Sequence, residues 1–167
     1  MVKIIVLDVD GTLTDGKIYT DDKDNNFKAF DVKDGFAIAQ WINYGGKVAI
    51  ITGKKSNIVQ RRGEELGIQY IHQGIKNKVE ELKKILEIEK LTFKDVAYIG
   101  DDINDLGVIM KVNFSACPKN SVTEVLEKVD FVSKFNGGEG AVREILEHLM
   151  KKNGMWDKVI SYYLNQK

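Results

Sequence analysis

The stretch Leu7-Asp8-Val9-Asp10-Gly11-Thr12 places two carboxylates one residue apart at the end of an apolar run. Residues i and i+2 of an extended chain point to the same side, so Asp8 and Asp10 would face a common ligand. Carboxylates do not close a buried run unless something matches their charge. Further along, Thr52 and Gly53 follow a second apolar run, Lys78 opens a helical pattern, and Asp101, Asp102, Asn104 and Asp105 follow a third run. Any one of these aspartates reads as a helix cap or a turn former. The whole set, gathered after successive apolar runs, reads as one site.

These residue types suit phosphoryl transfer through an aspartyl-phosphate. A carboxylate attacking a phosphate monoester meets like charge. With a near-dianionic phosphate at about 4 Å and an effective dielectric of about 20, the repulsion is roughly 8 kcal/mol. A lysine and a divalent cation offset it, and Mg2+ takes oxygen ligands of this kind. Asp8 is placed to act as nucleophile and metal ligand together. Asp10 is placed to protonate the leaving alkoxide and then to deprotonate the hydrolytic water. Thr52 and the backbone amides of the Gly11 turn are placed to hold phosphate oxygens, and Lys78 adds a compact positive charge. Thr12, Gly53 and Asn104 border the same strand ends and are expected to meet the substrate.

The elements that must position these groups are legible from periodicity. Apolar runs of strand length recur at 4–9, 48–51, 70–71, 96–99, 114–116 and 131–132. Helical patterns lie between them: one carries Phe36, Ala39, Gln40 and Asn43, one runs from a Ser56 cap to Gly67, and one spaces Val79, Leu82, Ile85 and Leu86 along a face. This alternation predicts a single α/β domain over 1–167, a three-layer α/β/α Rossmann-like arrangement with a mostly parallel central sheet. In such sheets ligands bind beyond the carboxyl ends of the strands, where the polar residues above fall. Residues 17–32 break the alternation and read as a projecting β-hairpin. Trp156, Val159, Ile160 and Tyr163 recur at helical spacing in the C-terminal tail, about 151–167, as an amphipathic helix or a tail that becomes one against a partner.

Composition narrows the classes. Twenty-five basic and twenty-five acidic residues cancel over 167 positions, so no overall field favours nucleic acid or an anionic membrane. Cys117 is the single cysteine and cannot form an internal disulfide. The N-terminus lacks the pattern of a signal peptide, and a cytoplasmic setting is expected. No G-x-x-x-x-G-K-[ST] occurs and no G-x-G-x-x-G follows the first strand, against a nucleotide-binding module. A phospho-accepting signalling receiver domain also gathers aspartates, a threonine and a lysine at strand ends. There the accepting aspartate lies mid-chain and the lysine comes last, whereas here Lys78 precedes the aspartate cluster.

On "DVDGTLT" at 8–14, "ITG" at 51–53, Lys78 and "GDDIND" at 100–105, the chain resembles the haloacid dehalogenase (HAD) phosphatases along essentially its whole length. The resemblance implies Asp8 as nucleophile and Asp10 as general acid/base. It implies Mg2+ held by the Asp8 carboxylate, the Asp10 backbone carbonyl and Asp101, with Asp102 and Asp105 orienting waters and Lys78. "DGTLTDG", "HQGIKNK", "YIGDDIND" and "NGGEGAVRE" narrow the likeness. Together they are similar to small, capless phosphatases of sugar-acid biosynthesis, above all the 3-deoxy-D-manno-octulosonate 8-phosphate phosphatases. Caplessness has independent support: neither the stretch from Gly53 to Lys78 nor the insertion after the first strand has room for a cap domain. The family resemblance implies a homotetramer cored by the hairpins, with a neighbouring subunit and its tail excluding water from the site. Arg143 would then face substrate anions. Lys54 follows "ITG", where many octulosonate enzymes carry arginine and relatives acting on nine-carbon acids carry glutamate; it is basic but lacks the arginine fork. Arg62 matches a recurring family arginine. The implied substrate is octulosonate 8-phosphate, with a deoxynononate or N-acylneuraminate 9-phosphate as the alternative.

Other conspicuous residues have plainer readings. His72 is expected as a hydrogen-bonded neighbour of the site, His148 on a helix surface, and Cys117 and Trp41 as packing. Gly137, Gly138 and Gly140 fit either simple loop chemistry or an anion cradle before a helix.

Overall fold

The computed structural model describes residues 1–166. In chain order the elements are β1 (Ile4–Leu7), β2 (Tyr19–Thr20), β3 (Asn26–Phe27), α1 (Val32–Asn43), β4 (Lys47–Thr52), α2 (Asn57–Glu65), β5 (Tyr70–Gln73), α3 (Lys78–Glu89), β6 (Val96–Ile99), α4 (Leu106–Ile109), β7 (Phe114–Cys117), α5 (Thr123–Leu126), β8 (Phe131–Val132), α6 (Ala141–Lys152) and α7 (Met155–Leu164). Six strands form one parallel sheet in the order β5-β4-β1-β6-β7-β8, and β2 and β3 make a separate two-stranded ribbon.

The unbroken run Ile4-Ile5-Val6-Leu7 is wholly buried because both sheet faces are covered. Ile5 and Leu7 join the core made with Ala37, Ile38 and Trp41 of α1, Val59 of α2, Val142, Ile145 and Leu146 of α6, and Trp156 and Val159 of α7. Ile4 and Val6 face the opposite core, built on Leu82, Ile85 and Leu86 of α3, Val108 of α4 and Val125 of α5. This is the expected three-layer architecture. Each such side chain contributes roughly 1.5–3 kcal/mol by leaving water.

Register decides where the polar residues emerge. Leu7 pairs with both Ile50 and Ile99, so β1, β4 and β6 end nearly in step. Chain progression also reverses across β1, with β4 and β5 on one side and β6, β7 and β8 on the other. That reversal opens a crevice at the carboxyl edge. Local signals set the helix that delivers Lys78: the Asn77 side chain accepts from the Glu80 amide at 3.2 Å, and Glu80 and Glu81 complement the first turn.

The hairpin is shorter than 17–32. Its ladder holds only Tyr19 opposite Phe27 and Thr20 opposite Asn26, and α1 already begins at Val32. The Asp21 carboxylate gathers the Lys23 and Asn25 amides at 2.8 and 2.9 Å and so builds the tight reversal. The C-terminal stretch also differs from a free tail. Residues 151 and 152 end α6, and α7 sets Trp156 and Val159 into the chain's own core at 5% and 1% exposure. Lys167 lies outside the described residues. His148 is not a simple surface residue: it stacks on Phe131 at 4.6 Å between centroids, and burial followed by the Lys152 charge lowers its pKa. Trp41 and Cys117 pack in the interior as expected. No helix among the described residues is long and apolar enough to cross a membrane.

Candidate active site

Asp8 is the first residue past β1, Lys78 the first of α3, and Asp105 the last of a 3-10 turn (Ile103–Asp105) that follows β6. The Lys78 ammonium donates to Asp8 Oδ1 at 2.7 Å and to Asp105 Oδ1 at 2.6 Å. Asp105 is completely buried and also receives the Tyr98 hydroxyl at 2.5 Å. Its second oxygen accepts the amides of Asp101 and Asp102 at 2.9 and 3.1 Å. One carboxylate thus fixes both the lysine and the backbone that carries Asp101. The Thr12 hydroxyl donates to Asp101 Oδ1 at 2.9 Å, tying the first loop to the third. Gly11 lies between them with φ +96°, and a Cβ there would stand 2.0 Å from Asp101 Oδ2. Only glycine fits that position.

Burial and crowding set the charges. Burial, reinforced by the Asp105 charge and only partly offset by Lys78, raises the Asp8 carboxyl to about 6. Burial likewise raises Asp101 to about 7; the Thr12 hydroxyl opposes the rise while Asp8, Asp105 and Asp102 add to it. Burial works against the Lys78 ammonium, yet its two carboxylate partners outweigh that cost and leave its pKa raised. Asp8, Asp101 and Asp105 each offer an oxygen within 4.8 Å of the others. Such an oxygen-only donor set, with Asp8 and Asp101 raised chiefly by burial and further by neighbouring carboxylates, fits a hard divalent cation.

Asp10 has a partner that the sequence did not disclose. Its carboxylate forms an ion pair with Lys28, just beyond β3, and both side chains are largely shielded from solvent. The pair borders a cleft of about 540 Å³ between the hairpin and residues 54–58, into which Lys17, Lys54 and Lys55 also open. A lone lysine at a hairpin end carries no motif. Only the fold of the ribbon back over the first loop could have found it.

The structure therefore joins Asp8, Thr12, Lys78, Asp101 and Asp105 in one network and places Asp10 and Lys54 on the adjoining cleft. Thr52 is buried at the end of β4 with Gly53 next to it. Asp102 and Asn104 are exposed, and the Asp102 carboxylate caps its own turn at the Ile103 amide, 2.7 Å away. Arg62 and Arg143 lie apart from this network. Arg62 rests against Gly35 and reaches Glu65 at 3.4 Å. Arg143 stands over the rings of Phe36 and Trp156, at 5.3 and 4.7 Å, and bonds Glu147 at 3.2 Å. His72 faces α3, with Nδ1 at 2.6 Å from Glu81.

A parallel sheet reversing at β1, an aspartate pair after β1, a threonine at the end of β4, and a lysine shared between carboxylates define a phosphoryl-transfer class. The family model for haloacid dehalogenase-like hydrolases matches residues 68–146, and the chain belongs to this family. The likeness to particular members is closer still. The 3-deoxy-D-manno-octulosonate 8-phosphate phosphatase KdsC of Escherichia coli K12 is 37% identical over 157 residues, spanning 94% of this chain and 84% of that protein. A probable YrbI family phosphatase from Pseudomonas syringae superposes with a TM-score of 0.97 at 38% identity, covering 99% of this chain and 94% of the other. The Moraxella catarrhalis 3-deoxy-D-manno-octulosonate 8-phosphate phosphatase, solved with magnesium, phosphate and KDO, gives a TM-score of 0.95 at 34% identity, covering 97% and 93%.

Proposed function

We propose that this protein is a Mg2+-dependent phosphatase that hydrolyses 3-deoxy-D-manno-octulosonate 8-phosphate through an aspartyl-phosphate on Asp8. The observation that carries the reading is the buried Asp8–Lys78–Asp105 contact at the carboxyl edge of β1, beside Asp101. Relatives similar over nearly the whole chain are named for that substrate. Mg2+, held by Asp8, Asp101 and the Asp10 backbone carbonyl, would supply charge neutralisation for the incoming phosphate.

The chain's own residues do the rest. Lys78 holds one Asp8 oxygen, which leaves the other to attack phosphorus. As the phosphorus–oxygen ester bond breaks, Asp10, released from Lys28 and protonated for this step, gives its proton to the leaving sugar alkoxide. Asp10 then takes a proton from water, whose oxygen attacks the phosphorus and frees the Asp8 carboxylate. The products are the sugar acid and inorganic phosphate. Thr52 and the amides of the Gly11 turn steady the phosphoryl oxygens, while Lys54 and Lys28 meet anionic groups on the leaving sugar acid. A homotetramer fits the exposed Ile18 and Phe27 of the hairpin, 75% and 57% accessible, which suit a packed core between subunits.

The test is phosphate release from the eight-carbon and nine-carbon sugar-acid phosphates, with and without Mg2+. Preference for the octulosonate, with Mg2+ required, is expected. Preference for a nine-carbon acid would reassign the substrate and make Lys54 the residue to change. Asp8→Asn should abolish turnover with the fold intact, and near-normal turnover in that variant would sink the mechanism.

A further inference from the structure

Asp34, on the first turn of α1, is 1% exposed and has no part in the chemistry above. Its Oδ1 accepts the Arg143 amide at 2.7 Å. Arg143 is the third residue of α6, a helix whose N-cap, Gly140, provides no side-chain cap. A carboxylate from α1 therefore satisfies an orphan amide in the first turn of α6.

The segment just before α6 sits on the catalytic turn. The Gly138 amide donates to the Thr12 carbonyl at 3.2 Å. A Cβ on Gly137 would stand 1.8 Å from the Gly11 carbonyl oxygen, so the two backbones touch and admit no side chain between them. Close backbone packing of Gly137 on the turn goes beyond both readings of these glycines, loop chemistry and an anion cradle. On its other side Asp34 lines a small pocket with about 10 Å³ of space together with Arg62, and Leu13 of the catalytic loop forms part of the wall. Asp34 Oδ2 and Arg62 Nε are both buried and have no partner among the described residues. The space matches one water, which can accept from Nε–H and donate to Oδ2. Burial raises the Asp34 carboxyl to about 7, against the opposing pull of the Arg143 amide. So desolvated a carboxylate needs a reason to stay.

We propose that Asp34 is a positioning residue for the phosphate-holding turn: it fixes the start of α6, thereby seats Gly137 and Gly138 on the turn at 11–14, and encloses one water with Arg62. The inference rests on the phosphatase reading of that turn. Its test compares Asp34→Ala, Asp34→Asn and Gly137→Ala in the full chain with Mg2+, on p-nitrophenyl phosphate and on octulosonate 8-phosphate. Rates are normalised to the folded fraction from circular dichroism. Asp34→Ala is expected to lower kcat by about tenfold to a hundredfold while KM moves less than about twofold, because a displaced turn misplaces the reacting group. Asp34→Asn, whose amide oxygen can still accept the Arg143 amide, should restore most of kcat. Gly137→Ala should reproduce the kcat loss and covers the case in which Asp34→Ala does not fold. A crystal structure should show a water in contact with Asp34 Oδ2 and Arg62 Nε.

Wild-type kcat per folded molecule in Asp34→Ala or Gly137→Ala would overturn the proposal, as would equal loss in the alanine and asparagine variants. A dry cavity would remove the water bridge. Should the wild-type protein itself cleave neither ester, the phosphatase reading fails first and is distinguished from failure of this inference.

Discussion

Lys78→Met is the most informative perturbation of the site. The ammonium is 3% exposed and lies 2.7 Å from Asp8 and 2.6 Å from Asp105. At an effective dielectric of about 20, each contact carries about 6 kcal/mol of gross attraction. Most of that offsets the desolvation of the three charges, and deleting one partner of such a buried arrangement costs a net of about 3–5 kcal/mol. Asp105 keeps the Tyr98 hydroxyl and two amides, so Asp8 bears most of the loss.

The sign with pH follows from Asp8, already raised to about 6 with the lysine present. An acid whose folded pKa exceeds its unfolded value destabilises the fold once pH passes the unfolded pKa, and the cost is complete above the folded one. Without Lys78 that window extends to higher pH, while at low pH protonation removes the unpaired charge. Urea unfolding of the Mg2+-free variant should therefore show a loss of about 3–5 kcal/mol at about pH 8 and less than about half of it at about pH 5. In melting temperature the alkaline loss corresponds to roughly 10 °C for a domain of this size. Added Mg2+ should recover part of it. Wild-type stability at the higher pH, or an equal loss at both, would refute the account of Lys78 as the charge that permits both carboxylates to be buried.

Other consequences follow from the same geometry. Asp8 and Asp101, raised to about 6 and about 7, must lose protons to bind a cation. The apparent Mg2+ affinity should thus fall as pH drops through that interval, by up to about tenfold per unit for each proton displaced; a pH-independent affinity in calorimetry would contradict this. Tyr98→Phe removes a hydroxyl from fully buried Asp105 and should cost about 1.5–3 kcal/mol in denaturant unfolding, with no change in the slope. Lys28→Met loses a half-shielded pair with Asp10, so stability should fall by no more than about 1 kcal/mol. KM for sugar-acid phosphates should rise more than KM for uncharged sugar phosphates, and equal effects on both would separate Lys28 from recognition of the anionic leaving group.

Much of this site was legible because its residues obey two local rules at once. Asp8, Thr52 and Asp101 each stand just past an apolar run of strand length, and parallel register forces such positions to one edge whatever the side chains do. Lys78 was legible for a different reason: Asn77 and the acidic residues after it mark a helix start, and a helix start after β5 must face that edge. The division of labour among the acids was less legible. Asp102 and Asp105 are expected to act alike, yet the 3-10 turn carries Asp105 inward to Lys78 and leaves Asp102 in solvent as a cap. A three-residue turn is too short for periodicity to reveal its inner side. Lys28 was hidden because its contact with Asp10 depends on the angle at which a two-residue ribbon folds back. The C-terminal helix showed its apolar stripe plainly, but a stripe does not say which surface it covers. Here Trp156 and Val159 find α1 and α6 of the same chain, and Ile160 and Tyr163 stay half-exposed at 44% and 45%.

Burial, with the crowding of charge in the network, explains why Asp8 and Asp101 sit above the ordinary carboxylate range. Asp8, Asp101 and Asp105 lie within 4.8 Å of one another, and Lys78 bonds two of them. Fully ionised, three carboxylates and one ammonium leave a surplus of two negative charges in a poorly solvated place. Burial first, and the neighbouring charges after it, favour proton uptake on Asp8 and Asp101, raised to about 6 and about 7. A divalent cation would relieve the surplus without protons and leave Asp8 ionised, the state the proposed nucleophilic role requires. The cation and the phosphate are thus not additions to a finished structure. The fold holds an arrangement that is unfavourable by itself near neutral pH, and binding supplies stability by mass action. On the far side of Asp10 the imbalance is reversed: Lys17, Lys28, Lys54 and Lys55 open on one cleft with a single acid among its walls. An anion-poor cleft beside a cation-poor pocket suits a substrate negatively charged at both ends, a phosphate turned toward Asp8 and an acid group turned toward the lysines.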